Sequence, residues 1–349
     1  MSKWIRSARC ARVAVGAALT VAAFAGAPAK AVTIKLNYDS SITSLSNAAT
    51  IESDLNSVAQ YFDTTLASPV TVNIGVSWGA VGGQVIPSSD VSSSVENLYG
   101  YFTYSQIKSD LTTAAKNNPL DTALVTAAAH LPASAPSGQG QYAITSADAK
   151  ALGVIPGILP GTDGYIGFSK TAAWDFSPAN GVTANTYDFE AAAAHEITEV
   201  LGRVSGLTST SPSFRTPLDL YRYSAAGQLG WSYTSAAYFS VNGGVTNLGA
   251  FNNQGAGDRG DWAAGGDDAQ SAYLHTGQAD GLTTADLTAL DALGWGGSNL
   301  GDTQLLTPTL MAQSFMGAAV PEPATWALMT LGVGLIGAAL RRRRLLALA

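Results

Sequence analysis

The chain has 349 residues, 46% of them hydrophobic and only 12% charged, with a formal net charge of −7. Its single cysteine, Cys10, lies near the start, so a disulfide framework, thiolate metal ligands and a cysteine nucleophile are excluded from everything after it. Residues 32–319 hold nine Lys and Arg against 24 Asp and Glu, a net charge of −15, and so acidic a surface argues against nucleic acid and anionic lipid as partners.

Residues 1–31 combine a basic start (Lys3, Arg6, Arg9, Arg12), an apolar stretch over 13–27 and the small-residue site Ala29-Lys30-Ala31. This is the pattern of a secretory signal peptide and stands outside the fold. Val32 to Leu36 alternates and predicts a strand. Ser46 to Leu66 places Ile51, Leu55, Val58 and Phe62 on one helical face. From Pro69 the alternation of Val70, Val72, Ile74 and Val76 predicts a second strand, so that strand, helix and strand open a mixed sheet. Gly79 to Ser94 reads as a Gly/Ser-rich loop. Helices follow within Tyr99–Asn118 and over Asp121–His130, with His130 as a last-turn histidine favoured by the helix dipole. Thr145 or Ser146 caps a short helix that stops at Gly153, and Tyr165 to Phe168 is a short strand.

The next element carries the chemistry. Asp188 can cap a helix whose first turns include Ala191 to Ala194, strong helix formers, and Gly202 can end it in a left-handed turn. On that helix His195 and Glu199, four residues apart, share a face, with Glu196 beside them. This H-E-x-x-E geometry is that of the zinc-protease helix H-E-x-x-H with a carboxylate in place of the second histidine. Imidazole and carboxylate both ligate zinc, and Glu196 would be the general base that takes a proton from the attacking water. An all-alanine turn is an expensive place for a carboxylate without a cation. Gly202 stands where H-E-x-x-H-x-x-G enzymes turn the chain back towards a third ligand. The other reading is a core histidine with two ordinary surface acids.

Asp219 is the candidate third ligand, an acid between Leu218 and Leu220 in a strand-like run. A salt bridge to Arg203, Arg215 or Arg222 is the competing role. His275 is a second candidate whose polar neighbours suit a surface histidine. Tyr221 or Tyr223 could donate to an oxyanion or simply pack in a sheet. Arg203 either pairs with an acid near the site or closes the helix C-terminus, the reading favoured by the helix dipole. Asn242-Gly243 predicts a hairpin turn. Asp258, Asp261, Asp267 and Asp268 read as a solvated acidic loop. Thr284 to Leu293 is a last amphipathic helix, stopped by Gly294. Residues 298–319 form a polar linker, and Val320-Pro321-Glu322-Pro323 precedes an apolar run over 324–340 and then Arg341 to Arg344. That run is just long enough to span a bilayer, with the arginines on the cytoplasmic side.

Two resemblances rest on these residues. The tail over 320–344 resembles the PEP-CTERM sorting segment of Gram-negative bacteria. This implies an exosortase-type sorting enzyme as partner, transient anchoring in the inner membrane by the helix over 324–340, and delivery to the cell surface or extracellular matrix. The order of His195-Glu196-Ile197-Thr198-Glu199-Val200-Leu201-Gly202-Arg203, Pro217 to Ser224, Tyr238 to Gly244, Gly257 to Trp262 and Asp286 to Trp295 resembles a family of bacterial secreted zincin-type metalloproteases, many with PEP-CTERM tails. The resemblance implies an α+β, zincin/metzincin-like domain over 32–297, a mixed sheet with an active-site helix, one catalytic Zn2+ and a protein or peptide substrate. Zincins pair an extended substrate with an edge strand, and Tyr165 to Phe168 is the strand expected in that place. Ser205 stands where metzincins have their third histidine, and a serine hydroxyl is a poor zinc ligand. The expected ligands are His195, Glu199 and Asp219, with Glu196 catalytic. The alternatives are a non-catalytic surface or matrix protein on the same fold, and a polysaccharide hydrolase with two carboxylates about 5–10 Å apart.

Overall fold

The computed structural model describes residues 32–136, 140–176, 180–209, 214–255 and 257–296. The signal peptide expected over 1–31, the linker expected over 298–319 and the sorting tail over 320–344 with its expected membrane helix lie outside the described residues. No helix among the described residues is long and apolar enough to cross a membrane.

The elements run β1 (Thr33–Tyr38), α1 (Ser40–Thr43), α2 (Ala48–Thr65), β2 (Thr71–Trp78), β3 (Ala80–Val81), β4 (Gln84–Val85), β5 (Ser92–Glu96), β6 (Leu98–Phe102), α3 (Tyr104–Asn117), α4 (Thr122–Ala129), β7 (Tyr142–Thr145), α5 (Ser146–Ala151), β8 (Gly164–Phe168), β9 (Trp174–Asp175), β10 (Tyr187–Asp188) and α6 (Phe189–Val200). A 3-10 turn over Pro217–Tyr221 leads into β11 (Arg222–Ala225), β12 (Gln228–Leu229), β13 (Tyr238–Phe239), β14 (Gly249–Ala250) and α7 (Thr284–Ala292). The chain is thus mixed α+β.

The main sheet has the order β1-β2-β8-β5, with β1, β2 and β8 parallel and β5 antiparallel at the edge. Val72, Ile74 and Val76 of β2 are buried, as the alternation predicts. The apolar face of α2 (Ile51, Leu55, Val58, Phe62) packs in the same core as the alanine face of α6. Gly164 lets α6 come close: a Cβ there would stand 2.8 Å from a methyl of Val200. Phe189 anchors the start of α6 among Phe168, Phe176 and Trp174, with ring centroids 4.7, 4.8 and 5.4 Å away.

Three expectations change here. The strand over Tyr165–Phe168 exists, but it lies inside the sheet; the edge strand is β5, from a segment read as loop. Ser92-Ser93-Ser94 has little strand propensity of its own, and pairing with β8 in full register from Ser92↔Phe168 to Glu96↔Gly164 orders it. Residues 217–221 form a buried 3-10 turn rather than a strand, started by Pro217 and closed by the Thr216–Asp219 capping box. The chain does reverse between β13 and β14, paired Tyr238↔Ala250 and Phe239↔Gly249, but across the longer loop 240–248 and not a two-residue turn at Asn242-Gly243. At the end of the domain Trp295 is fully buried, its indole N–H donating to the Leu201 carbonyl at 2.8 Å, which ties α7 to the end of α6.

Candidate metal centre

Helix α6 is built as its sequence requires. The Asp188 carboxylate accepts from the Ala191 N–H at 3.0 Å, capping the first turn. Ala191 to Ala194 are fully buried. At the far end Gly202 takes φ 106°, and a Cβ there would lie 2.9 Å from the Cβ of Asp148, so glycine is needed for both conformation and space. The chain then turns back, and the loop over 257–271 covers the His195 side of the helix. Thr198 Oγ1 donates to Gln270 Oε1 at 3.0 Å, fastening that loop to α6.

His195 sits at the junction, its side chain 13% exposed. Its Nδ1 is 2.8 Å from the carbonyl oxygen of Ala269. That acceptor holds the proton on Nδ1 and leaves the Nε2 lone pair pointing into the site, the arrangement found behind metal-bound histidines. Nε2 faces Glu199 Oε1 at 3.6 Å and Asp261 Oδ1 at 3.7 Å. Donor atoms of His195, Glu199 and Asp261 all lie within 4.8 Å of one another, and they are the one such group among the described residues. Ligands about 2.0–2.2 Å from a tetrahedral zinc stand about 3.3–3.6 Å apart, so the spacing suits a small cation with little movement.

The environment demands positive charge. Asp261 is buried, and its Oδ1 has no hydrogen-bond partner. Burial, and then the Glu199 charge against the relief from His195 and Arg203, pushes its pKa up to about 7. Burial opposes a charge on His195, but Asp261, Glu199 and Glu196 together outweigh it and raise the imidazole well above its ordinary value. Burial would also raise Glu199, yet the neighbouring His195, when it carries charge, and the Ser94 hydroxyl bring it below the usual range. These shifts describe acids competing for one proton where a metal would serve all of them.

Strand β5 supports the acids from the other side. Ser92 and Ser94 project to one face by the two-residue repeat. Ser92 hydrogen-bonds Glu196, and Ser94 Oγ donates to Glu199 Oε2 at 2.7 Å, leaving Oε1 for the metal side. Ser94 Oγ is also 2.5 Å from Glu96 Oε1. A hydroxyl has one hydrogen, so when it serves Glu199 the Glu96 carboxyl must carry the proton of the second bond. Burial and the Glu199 charge accordingly push Glu96 up to about 7. Ser94→Ala is expected to weaken zinc affinity about 10–100-fold, as loss of a ligand's orienting hydrogen bond does, with Ser94→Thr restoring most of it. Competition against a chromogenic chelator measures this; equal affinity for Ser94→Ala and the parent chain would remove Ser94 from the site's support.

The sequence-based ligand set is thus brought together in part. His195, Glu196 and Glu199 meet as expected. Asp219 does not join them: its carboxylate accepts from Ser205 Oγ at 2.5 Å and from the Gly206 and Thr216 N–H groups at 2.9 Å each. It fixes the return of the chain after α6, and Asp261 takes the third place. Asp261 therefore leaves the solvated loop expected for it, because Trp262 beside it is buried and draws the loop inward. Arg203 takes the acid-pairing role rather than only closing the helix: its Nη1 is 3.7 Å from Asp261 Oδ1 and its Nη2 3.7 Å from Asp286 Oδ1. Tyr221 is buried and donates to the Ala292 carbonyl at 3.1 Å, a packing role. His275 is exposed. His130 is exposed at the end of α4, with Nδ1 2.8 Å from the Thr126 carbonyl, as its last-turn reading predicts.

Among known proteins, the comparison that yields a match concerns the tail. No curated protein and no solved structure matches the chain. The family description "PEP-CTERM protein-sorting motif" matches residues 319–344. This is the segment in which V-P-E-P, the apolar run and the four arginines follow one another. The chain therefore carries a PEP-CTERM sorting motif at its C-terminus, which implies export and recognition by an exosortase-type sorting enzyme.

Proposed function

We propose that the domain is an exported zinc-dependent endopeptidase of zincin-like architecture. The observation that carries this reading is the convergence of ligand atoms of His195 and Glu199, on a helix that also presents Glu196, with one of Asp261 from the loop over 257–271, all within 4.8 Å. The donor set fits zinc: one imidazole fixed by a carbonyl behind it and two carboxylates, one of them with a buried, unpartnered oxygen. Zinc held there supplies a Lewis acid for the peptide carbonyl and lowers the pKa of a water.

The chain's own residues do the rest. Glu196 Oε2 is buried with no hydrogen-bond partner, free to accept the proton of the attacking water and pass it to the departing amine. Burial and the Glu199 charge hold Glu196 well above the ordinary range, and a cation beside it would lower it towards the value a base needs. Strand β5 ends the sheet, and its outer edge is unpaired among the described residues. An extended peptide laid along that edge gains backbone hydrogen bonds directly beside Ser92 and Ser94, and so beside the carboxylates those serines hold.

The test is Glu196→Gln. Hydrolysis of an unstructured protein substrate is expected to fall about 10²–10⁴-fold in kcat/KM while zinc content stays at that of the parent chain. Full activity in that variant would remove the mechanism. A second reading, a non-catalytic surface protein with a structural metal, draws on the sorting motif; zinc binding without hydrolysis in the parent chain would favour it.

A further inference from the structure

Helices α4 and α7 pack against each other, and a cleft of about 670 Å³ opens between them, β14 and the loop over 257–271. A cavity of that size takes a ligand or several side chains. Its walls are mostly apolar: Ala123 of α4, Ala285 of α7, and Val241, Leu248 and Trp262. The Trp262 indole N–H is committed to Asp286 Oδ1 at 2.6 Å, so the ring offers the cleft carbon alone. Val241, Leu248 and Ala285 are only partly buried where they rest on the core.

We propose that this cleft is the docking site of the chain's own segment 305–316, the stretch that joins the domain to its sorting motif.

The point of exit is the first argument. The chain leaves the described residues at Gly296, and a Cβ built there would lie 3.9 Å from Asp121 Oδ2. Asp121 caps α4, and the next residue, Thr122, lines the cleft. Residues 297–304 precede the segment and reach about 26 Å when extended, enough to lay it along the cleft. A tether this short holds the segment at about millimolar effective concentration, so a contact with an intrinsic Kd of about 10⁻⁴ M is about ten to one docked.

Composition is the second. Of the 22 residues between Gly296 and the motif that begins at 319, seven are Leu, Met or Phe and Asp302 alone is charged. Six of the seven fall within 305–316: Leu305, Leu306, Leu310, Met311, Phe315 and Met316. A tether that stays solvated is poor in such side chains, and this one has apolar area to cover. The cleft matches it in charge. Asp268 is the single ionisable residue that lines it, and burial with the Asp286 charge beside it pushes its carboxyl up to about 8, so near neutral pH the wall is largely uncharged. A second copy would bring a net −15 against a surface of the same sign, whereas residues 305–316 bring no charge at all. Docked there, the segment would present the sorting motif from the α4–α7 face of the domain.

The experiment uses the full chain in detergent with Cys10→Ser, so that the thiol introduced by Thr307→Cys, next to Leu306, is the only one. Its reaction with a maleimide is expected to be about tenfold slower than when the cleft is blocked. Thr126→Arg blocks it by placing a charged side chain on the α4 wall, and Ala123→Arg serves if Thr126→Arg does not fold. Leu305→Ser/Leu306→Ser, which lies outside the described residues, should speed the reaction to the same extent. About tenfold dilution should leave every rate unchanged. The proposal is overturned if the thiol reacts equally fast in the parent and all variants, which would mean a free segment. It is overturned equally if the reaction is slow in all of them, which would place the shielding in the detergent or on another face. Slowing that fades on dilution would overturn it in favour of a segment donated by a second copy.

Discussion

Asp261→Ala should lose zinc and keep its fold, whereas Asp219→Ala should lose its fold. The two aspartates are both buried, at 3% and 1% exposure, so burial alone does not separate them; their partners do. Asp261 presents an oxygen with no hydrogen-bond partner to His195 and Arg203. Removing it takes away one of the three proposed ligands and relieves repulsion with Glu199, while Arg203 keeps Asp286 as its counter-charge, so zinc affinity should fall by more than about 100-fold with a smaller loss of stability in the metal-free protein than Asp219→Ala suffers. Asp219 accepts three bonds that close the turn after α6, from Ser205, Gly206 and Thr216. Alanine there strands those buried donors, a cost of about 3–5 kcal/mol. Zinc competition and urea unfolding of both metal-free variants make the comparison. A folded Asp219→Ala chain without zinc, beside an Asp261→Ala chain that retains it, would reverse the assignment.

The contrast also marks where the sequence is readable. His195, Glu196 and Glu199 are legible because helix periodicity is local: four residues make one turn whatever surrounds it. For the same reason β1, α2, β2 and α7 follow their apolar patterns closely. The proposed third ligand is not local. Asp261 lies 62 residues beyond Glu199 in sequence, in a Gly- and Asp-rich stretch with no period. Its position depends on the Ala269 carbonyl meeting His195, Gln270 meeting Thr198, and Trp262 packing on Phe239 and Phe251. One signal was present: Arg259-Gly260-Asp261-Trp262 sets an acid beside a large aromatic, and a tryptophan rarely stays in a solvated loop. Asp219 misleads for the converse reason. An acid between two leucines does need a partner, but backbone N–H groups supply it as well as a metal does. Strand β5 is hidden because a run of serines carries no apolar alternation, and its order comes from the neighbour strand.

Arg203 carries the second large effect. Its guanidinium is fully buried, 4.5 Å from the centre of the Trp262 ring, between Asp261 and Asp286. Its charge stands 3.7 Å from Asp261, one of the proposed metal ligands, and no hydrogen-bond acceptor meets its N–H groups. Arg203→Met keeps much of the volume but leaves two buried carboxylates facing each other's field without a counter-charge. A loss of about 3–5 kcal/mol is expected, the usual cost of breaking a buried ion pair from one side. Asp286 is the better placed of the two acids to survive, since it accepts from Trp262 Nε1 at 2.6 Å and from the Thr283 N–H at 2.6 Å. The double variant Arg203→Met/Asp286→Asn should recover only part of that loss: the unbalanced charge is gone, but the two bonds fall on different oxygens and the amide Nδ2 cannot accept the one it replaces. Arg203→Lys should fall between, keeping charge but losing the planar stack on Trp262. Urea midpoints at constant slope measure all three. If Arg203→Met matched the parent chain, the guanidinium would be only a space-filling group, and Asp261 would owe its position to the 257–271 loop alone.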